Sequence, residues 1–276
     1  MDLSNENVIH KKENGIEYLQ FRKLLEYPEI WHAFAIKPLN FRGYNAGKFI
    51  ATDYKKFLEN QSQEYNMLIR PLQEHTDKVI RVDEKINKDS PDLFLDYLNQ
   101  VDGIVTDKKE FILATTSADC IALIIYDPVK KVIANVHSGW RGTFKKISLK
   151  AIEKMKDEYG CNPEDIMVCI CPSIRKCHFE VKTDVESECR KIFEYTGKLE
   201  EIIKFKGVEN DEDKFMIDTI LITKLLLKEA GIKDENIVDS NICSLCENEK
   251  INSRRGDGGH FGLNAAFIKL NKKEDL

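Results

Sequence analysis

One stretch of this chain, residues 115–142 (TTSADCIALIIYDPVKKVIANVHSGWRG), leaves little freedom in how it folds. Residues 121–125 and 132–136 are short apolar runs rich in β-branched side chains, and the Asp127-Pro128 pair between them signals a tight turn. Two strands joined by such a turn pair antiparallel, so the start of the first lies beside the end of the second. The start carries Cys120 and the end carries His137, so a thiol and an imidazole are expected at one end of one sheet. Past His137 the chain reads Ser138-Gly139-Trp140-Arg141-Gly142. It then enters a helical pattern, Phe144, Ile147, Ala151, Met155 and Tyr159, which stops at Gly160. A ligand at a strand end, followed by a glycine turn and a helix start, suits metal and anion chemistry together.

Elsewhere, strands are expected over residues 30–36, 67–72, 166–170, 202–205, 215–217, 237–242 and 263–270. Residues 79–82 read as a continuation of the second of these, beyond His75. Helices are expected over residues 53–64, 184–195 and 220–230, the last ending at Gly231. Residues 37–47 hold turn formers at several positions and read as a surface loop. Strands interspersed with helices, several of them adjacent, indicate an α/β (α+β) fold with a mixed β-sheet covered by helices. No linker or low-complexity tract divides the 276 residues, which read as a single domain, 1–276.

A net charge of -5, from 42 basic against 47 acidic residues, offers no footprint for nucleic acid or an anionic membrane surface, so small molecules are the expected partners. The N-terminal residues lack the apolar core of a signal peptide and no stretch approaches the length of a membrane helix, which predicts a cytoplasmic protein. In that compartment the eight cysteines should stay reduced, as ligands, nucleophiles or small buried hydrophobes.

Cys120 and His137 lie too far apart for a zinc-finger knuckle, so a shared metal depends on the fold and needs a third ligand from elsewhere. His75, between two strand-like runs, is the best donor, because His10, His32, His178 and His260 have less organised surroundings. One Cys and two His would leave the fourth tetrahedral position for water or substrate. The rival scheme makes Cys120 a nucleophile activated by His137, with no legible third residue to orient the imidazole. Asp119 could assist either scheme, although in a regular strand it would point away from Cys120 into structural hydrogen bonding. Cys169 and Cys171 share one face of a strand as small core residues. Cys243 and Cys246 form a lone CxxC, while Cys161, Cys177 and Cys189 show no partner. Arg141, ahead of the helical pattern, and the Arg254-Arg255 pair could hold an anion, against the plain alternative of solvated arginines or salt bridges.

Taken together, SADC followed by HSGWRG, Gln73-Glu74-His75 upstream, CPSIRKCHFEV from Cys171 to Val181, and Cys243 followed by SRRGDGG resemble the YfiH family. It is also called the laccase-domain, multicopper polyphenol oxidase or peptidoglycan editing factor family. The resemblance extends from His75 to the C-terminus. It implies a single YfiH-like catalytic domain with His75, Cys120 and His137 as ligands of Zn2+, and with Cys120, His137 and Asp119 as the catalytic candidates. It further implies a zinc-dependent purine nucleoside phosphorylase acting on adenosine, inosine and methylthioadenosine, with adenosine deaminase activity. A purine nucleoside and phosphate would be the partners, and Arg141, Arg254 and Arg255 the candidates for holding the phosphate. Copper is disfavoured as the native metal because six scattered histidines are too few for a multicopper oxidase. The alternatives are a Cys-His amide hydrolase in peptidoglycan precursor editing, a copper-dependent polyphenol oxidase, and a non-catalytic metal-binding paralogue. The chain departs from the family pattern at residues 36–43, where a Thr-Arg-x-Gly-Gly-like segment is usual. Phe261-Gly262-Leu263 replaces the usual Thr-Gly-Arg, and Glu74 and Thr76 flank the first ligand. The metal site reads as intact and the substrate shell as altered.

Overall fold

Two six-stranded mixed sheets face one another in the computed structural model, which describes residues 1–42, 44–45, 48–49, 52–83, 99–109 and 111–272. The first sheet runs Val8–Glu13, Ile16–Phe21, Ile30–Ala35, Asn264–Leu270, Phe111–Ser117, Met67–Ile69. The second runs Ile237–Asp239, Met167–Ile170, Ile121–Asp127, Val132–Ser138, Gly103–Thr106, Val79–Arg81. Leu19, Phe34, Leu113 and Ile268 of the first sheet meet Ile124, Tyr126, Ile133 and Cys169 of the second in one buried cluster.

Strands Ile121–Asp127 and Val132–Ser138 are buried at every position, as their unbroken apolar character requires of strands covered on both faces. Beneath the second sheet, helices Ile147–Tyr159 and Thr219–Glu229 pack through Ile147, Ala151, Met155, Ile220 and Leu227. Outside the first sheet, helix Thr52–Asn60 packs through Tyr54, Phe57 and Leu58. The layers are therefore helix, sheet, sheet, helix. Each fully buried Leu, Ile or Phe contributes about 1.5–3 kcal/mol, which makes the hairpin a rigid platform. One polar side chain bridges the two sheets: Asn135 Nδ2 donates to Ala266 O at 2.8 Å and Leu113 O at 3.2 Å, and its Oδ1 accepts from the Thr115 hydroxyl. A fully satisfied buried amide of this kind fixes how the sheets sit on each other. Beside them, a three-stranded sheet of Glu180–Lys182, Glu212–Ile217 and Ile203–Glu209 shares a smaller core with helix Thr183–Phe193. Among the described residues no helix is long and apolar enough to cross a membrane.

The expected hairpin is present, in register from Ile121 opposite Ser138 to Asp127 opposite Val132. The mixed sheet covered by helices is present as two sheets, and the expected helices and strands appear with shifted ends. Several local expectations are corrected. Residues 67–72 and 79–82 are not one interrupted strand; Met67–Ile69 ends the first sheet and Val79–Arg81 the second, so His75 lies on the crossing between sheets. The pattern from Phe144 to Tyr159 divides into Trp140–Phe144 and Ile147–Tyr159, with Lys146 left-handed at φ 62°. Phe144 belongs to the smaller core and Ile147 to the core under the second sheet, and the bend serves both. Strand Ile237–Asp239 stops before a left-handed Asn241. Leu39 and Phe41 are buried, Phe41 against Tyr54, Phe57 and Phe267, so this part of residues 37–47 is core rather than surface loop. Gly43, Ala46 and Gly47 of that segment lie outside the described residues. Strands Val8–Glu13, Ile16–Phe21, Gly103–Thr106 and Phe111–Ser117 had no sequence expectation; Val8–Glu13 is a polar edge strand whose run VIHKKE carries little alternation.

Candidate metal centre

Three segments converge at the open end of the hairpin. Cys120 immediately precedes strand Ile121–Asp127, His137 stands opposite Ala122 on the partner strand, and His75 arrives from the crossing between sheets. Cys120 Sγ lies 3.6 Å from His75 Nε2. The rings of His75 and His137 meet edge to face with centroids 5.0 Å apart. One donor atom from each of the three residues lies within 4.8 Å of the others.

A residue that the sequence did not single out organises this arrangement. Asp102 is fully buried, and its Oδ1 bonds His137 Nδ1 at 2.6 Å. The same carboxylate accepts from the backbone amides of Glu74, His75 and Thr76 at 3.2, 3.1 and 2.7 Å, and from the Thr76 hydroxyl at 2.7 Å. His75 is left-handed at φ 59°, a conformation that costs a non-glycine residue energy and persists where neighbours hold it. Those amide bonds do the holding. A carboxylate only accepts, so His137 Nδ1 carries the proton and Nε2 is the atom left to bind a metal.

Burial opposes charge at Cys120, His137 and Asp102, and their mutual contacts override it. The imidazoles of His137 and His75 hold the Cys120 thiol below its ordinary pKa. The Cys120 thiolate and Asp102 raise His137, and His137 with Thr76 lowers Asp102. Space is equally constrained. A Cβ on Gly139 would stand 2.2 Å from His75 Cδ2 and 3.2 Å from Cys120 Sγ, so only glycine leaves the donors room. One thiolate and two imidazoles at this separation fit a single tetrahedral ion with one position open.

The open side gives onto a cavity of about 450 Å³ whose wall includes Trp140, Arg141, Phe179, Arg254 and Arg255. Arg141 lies within the short helix Trp140–Phe144 rather than ahead of a long one, with its guanidinium 4.2 Å from the Trp140 ring centroid. Arg254 faces the Phe261 ring, and Arg255 Nη2 donates to Glu180 O at 3.3 Å. All three guanidinium-bearing residues are exposed. Asp119 is left-handed at φ 85° and precedes the strand, which corrects its expected strand geometry. Its Oδ1 accepts from the hydroxyls of Ser244 and Ser253, each at 2.6 Å, and its Oδ2 from the Arg255 amide at 2.7 Å. Arg254 and Arg255 open the short helix Arg254–Asp257 rather than lying in a loop, and the carboxylate ties this helix to the neighbour of Cys120.

Other residues sort plainly. Cys169, Cys171 and Cys189 are buried core residues whose thiols burial pushes up. His32 is a satisfied core histidine; burial pulls its pKa to about 3 while its Nε2 accepts from the Phe21 amide at 2.8 Å. Cys177 and His178 are not without partners, for they stand against Cys243 and Cys246. The legible signal for Asp102 was an Asp-Gly pair heading a β-branched run, and for Cys177 and His178 an adjacent pair of soft donors to match the CxxC.

The profile of the multi-copper polyphenol oxidoreductase laccase family matches residues 40–271. The chain belongs to that family. The mouse purine nucleoside phosphorylase LACC1 is 31% identical over 179 residues, covering 61% of this chain and 38% of that protein. The matched part thus spans well under half the length of the mouse relative, and the human one is covered to the same 38%. Purine nucleoside phosphorylase YlmD of Bacillus subtilis is 28% identical over 198 residues, 72% of this chain and 69% of its own. A protein named adenosine deaminase RL5, from an unknown prokaryotic organism, is 30% identical over 196 residues, 71% of this chain and 72% of its own. Among crystal structures, YfiH of Bacillus licheniformis superposes with a TM-score of 0.79 at 22% identity, covering 92% of this chain and 96% of that one. YlmD of Geobacillus stearothermophilus gives 0.78 at 20% identity, covering 96% and 100%. The α+β fold of two helix-covered mixed sheets is therefore the YfiH fold.

Proposed function

We propose that this protein is a zinc-dependent purine nucleoside phosphorylase acting on adenosine, inosine and methylthioadenosine, with adenosine deaminase activity, and that residues 1–276 form one cytoplasmic catalytic unit. The observation that carries the proposal is the opening of the His75, Cys120, His137 donor set onto a cavity edged by Arg141, Arg254 and Arg255. Phosphorolysis needs a site for an aromatic base and a site for phosphate. Trp140 and Phe179 offer ring surface to the base, and the guanidiniums offer planar donor pairs to the phosphate. The names of the phosphorylase and deaminase relatives support the same class of reaction.

Zinc is favoured over copper because one thiolate and two imidazoles supply a single tetrahedral site, whereas multicopper oxidation needs many more histidines. When bound, zinc supplies a Lewis acid with one open position. Asp102 keeps His137 in the tautomer that points Nε2 inward, and its grip on the amides of Glu74, His75 and Thr76 orients His75. Asp119, with both oxygens already engaged, acts as a positioning residue that holds the short helix Arg254–Asp257 at the cavity.

A second reading keeps the same residues and gives Cys120 the role of nucleophile. Asp102 is the third member that was not legible in the sequence: it orients His137, and His137 holds Cys120 towards its thiolate. Such a chain could open an amide in a peptidoglycan precursor.

The deciding experiment is turnover of metal-quantified protein on adenosine, inosine and methylthioadenosine, with and without phosphate, beside a His75→Ala control. Free base and ribose phosphate that form only with phosphate, and vanish in the control, are the expected result. Full zinc loading with no turnover of any nucleoside overturns the proposal. Cys120→Ser protein that keeps its metal and loses amidase activity would establish the nucleophile instead.

A further inference from the structure

We infer that Cys177, His178, Cys243 and Cys246 form a second, closed zinc site that staples together the two loops behind the active-site cavity. The four donors come from two turns distant in sequence. Cys177 and His178 lie between strands Met167–Ile170 and Glu180–Lys182, in a turn closed by the His178 and Phe179 amides donating to Arg175 O at 2.8 Å each. Cys243 and Cys246 lie after strand Ile237–Asp239, in a turn closed by the Glu247 amide donating to Cys243 O at 3.1 Å. A bridge between Ser173 and Cys243 brings the turns side by side, and the Ser244 amide donates to Ser173 O at 3.0 Å.

The spacing of the donors is that of a tetrahedron around one ion. With Zn–S near 2.3 Å and Zn–N near 2.0–2.1 Å, a tetrahedral site sets S···S edges of about 3.8 Å and S···N edges of about 3.6 Å. Cys177 Sγ lies 3.6 Å from Cys243 Sγ and 4.0 Å from Cys246 Sγ. His178 Nδ1 lies 3.6 Å from Cys243 Sγ and 3.5 Å from Cys246 Sγ. These edges leave room for one ion and none for an iron–sulfur cluster, whose ligands spread around several atoms. Four protein donors also leave no open position, which separates this site from the three-donor centre and makes it structural. Loading it deprotonates the three thiols, so binding releases protons to solvent.

The site would act on the catalytic region by position. Ser244, between the two cysteines of the CxxC, donates to Asp119 beside Cys120, while Ile174 and Phe179 on the other stapled loop line the cavity. This four-donor site stands apart from the reaction catalysed, and its signature is metal content and thiol protection.

Protein made in zinc-supplemented medium under reductant is measured by elemental analysis. Two zinc ions per chain are expected. One should remain in the His75→Ala/Cys120→Ser variant, and one should be lost on Cys177→Ser/Cys246→Ser. Because the latter variant can fail to fold, the unmutated protein provides a second readout. Cys177 and Cys246 are exposed, so in metal-free protein both should alkylate readily. With zinc bound, peptide mapping should find both protected until a strong chelator is added. Immediate alkylation of both in zinc-replete protein, a Cys177–Cys243 disulfide in place of metal, or iron in place of zinc overturns the inference.

Discussion

The two groups of soft donors are built in opposite ways. His75, Cys120 and His137 stand where strand ends meet a crossing chain, and a buried carboxylate sets both histidines. Cys177, His178, Cys243 and Cys246 stand on two turns, with Cys177 and Cys246 exposed and the four donor atoms gathered within 4.8 Å of one another. A site that must admit a substrate has a gap in its ligand shell, so its rigidity has to come from the fold around it. A site with four protein donors can take its rigidity from the ion, and loops suffice to carry it. Asp119 and Ser244 connect the two, which makes the surface staple a support for the working centre.

The sharpest break in the comparison is expected at the foot of the loop pair. Asp239 is buried and paired with Arg175, whose Nη1 lies 3.0 Å away, and with Lys224 at 2.8 Å. Asp239→Asn leaves these cations facing an uncharged amide and should cost about 3 kcal/mol in a denaturant titration. Burial opposes the Asp239 charge, but Arg175 and Lys224 hold its pKa below the ordinary carboxylate value. Its contribution is therefore complete above that ordinary value and is lost as pH falls towards the depressed one, so the variant should also flatten the acid limb of the stability profile.

Next in size is Gly139→Ala, which drives a methyl group into His75. Activity should fall by about 100-fold, with zinc lost from the three-donor centre alone. Loss from both sites would show that the two are not separately built. Asp102→Asn should weaken the three-donor centre by roughly 10–100-fold in a competitive chelator titration and leave the four-donor cluster unchanged. The smallest effect belongs to the link between them. Ser244→Ala removes one hydroxyl bond to a carboxylate, worth about 1.5 kcal/mol, and should raise KM for phosphate more than it lowers kcat. An unchanged KM would mean that the helix Arg254–Asp257 is held without it.

Much of the three-donor region was legible because it is local. The hairpin, its turn and the placing of Cys120 beside His137 follow from two β-branched runs and an Asp-Pro pair. His75 was legible by elimination and through the Gln73-Glu74-His75 motif of the family resemblance, since nothing near it in sequence announces the crossing between sheets. Asp102 was not singled out, for a stronger reason. An aspartate on the way into a strand reads as turn chemistry, and its role appears only when four donors from residues 74–76 and a ring nitrogen converge on it. Arg141, Arg254 and Arg255 stood out in the sequence as basic residues, but that they line one cavity is a tertiary fact, to which the Asp119 bond to the Arg255 amide contributes.

By itself, then, the sequence determined the elements whose cause lies within a few residues: apolar periodicity, turn residues, and the donor types able to hold a soft metal. Tertiary structure decided which donors meet. Cys177 and His178 lie far from Cys243 and Cys246 along the chain, and only the parallel pairing of Met167–Ile170 with Ile237–Asp239 carries the two turns to the same edge. Local propensity acts over a turn of helix or a strand pair, whereas coordination and carboxylate capture act through space, and the sheet order sets those distances.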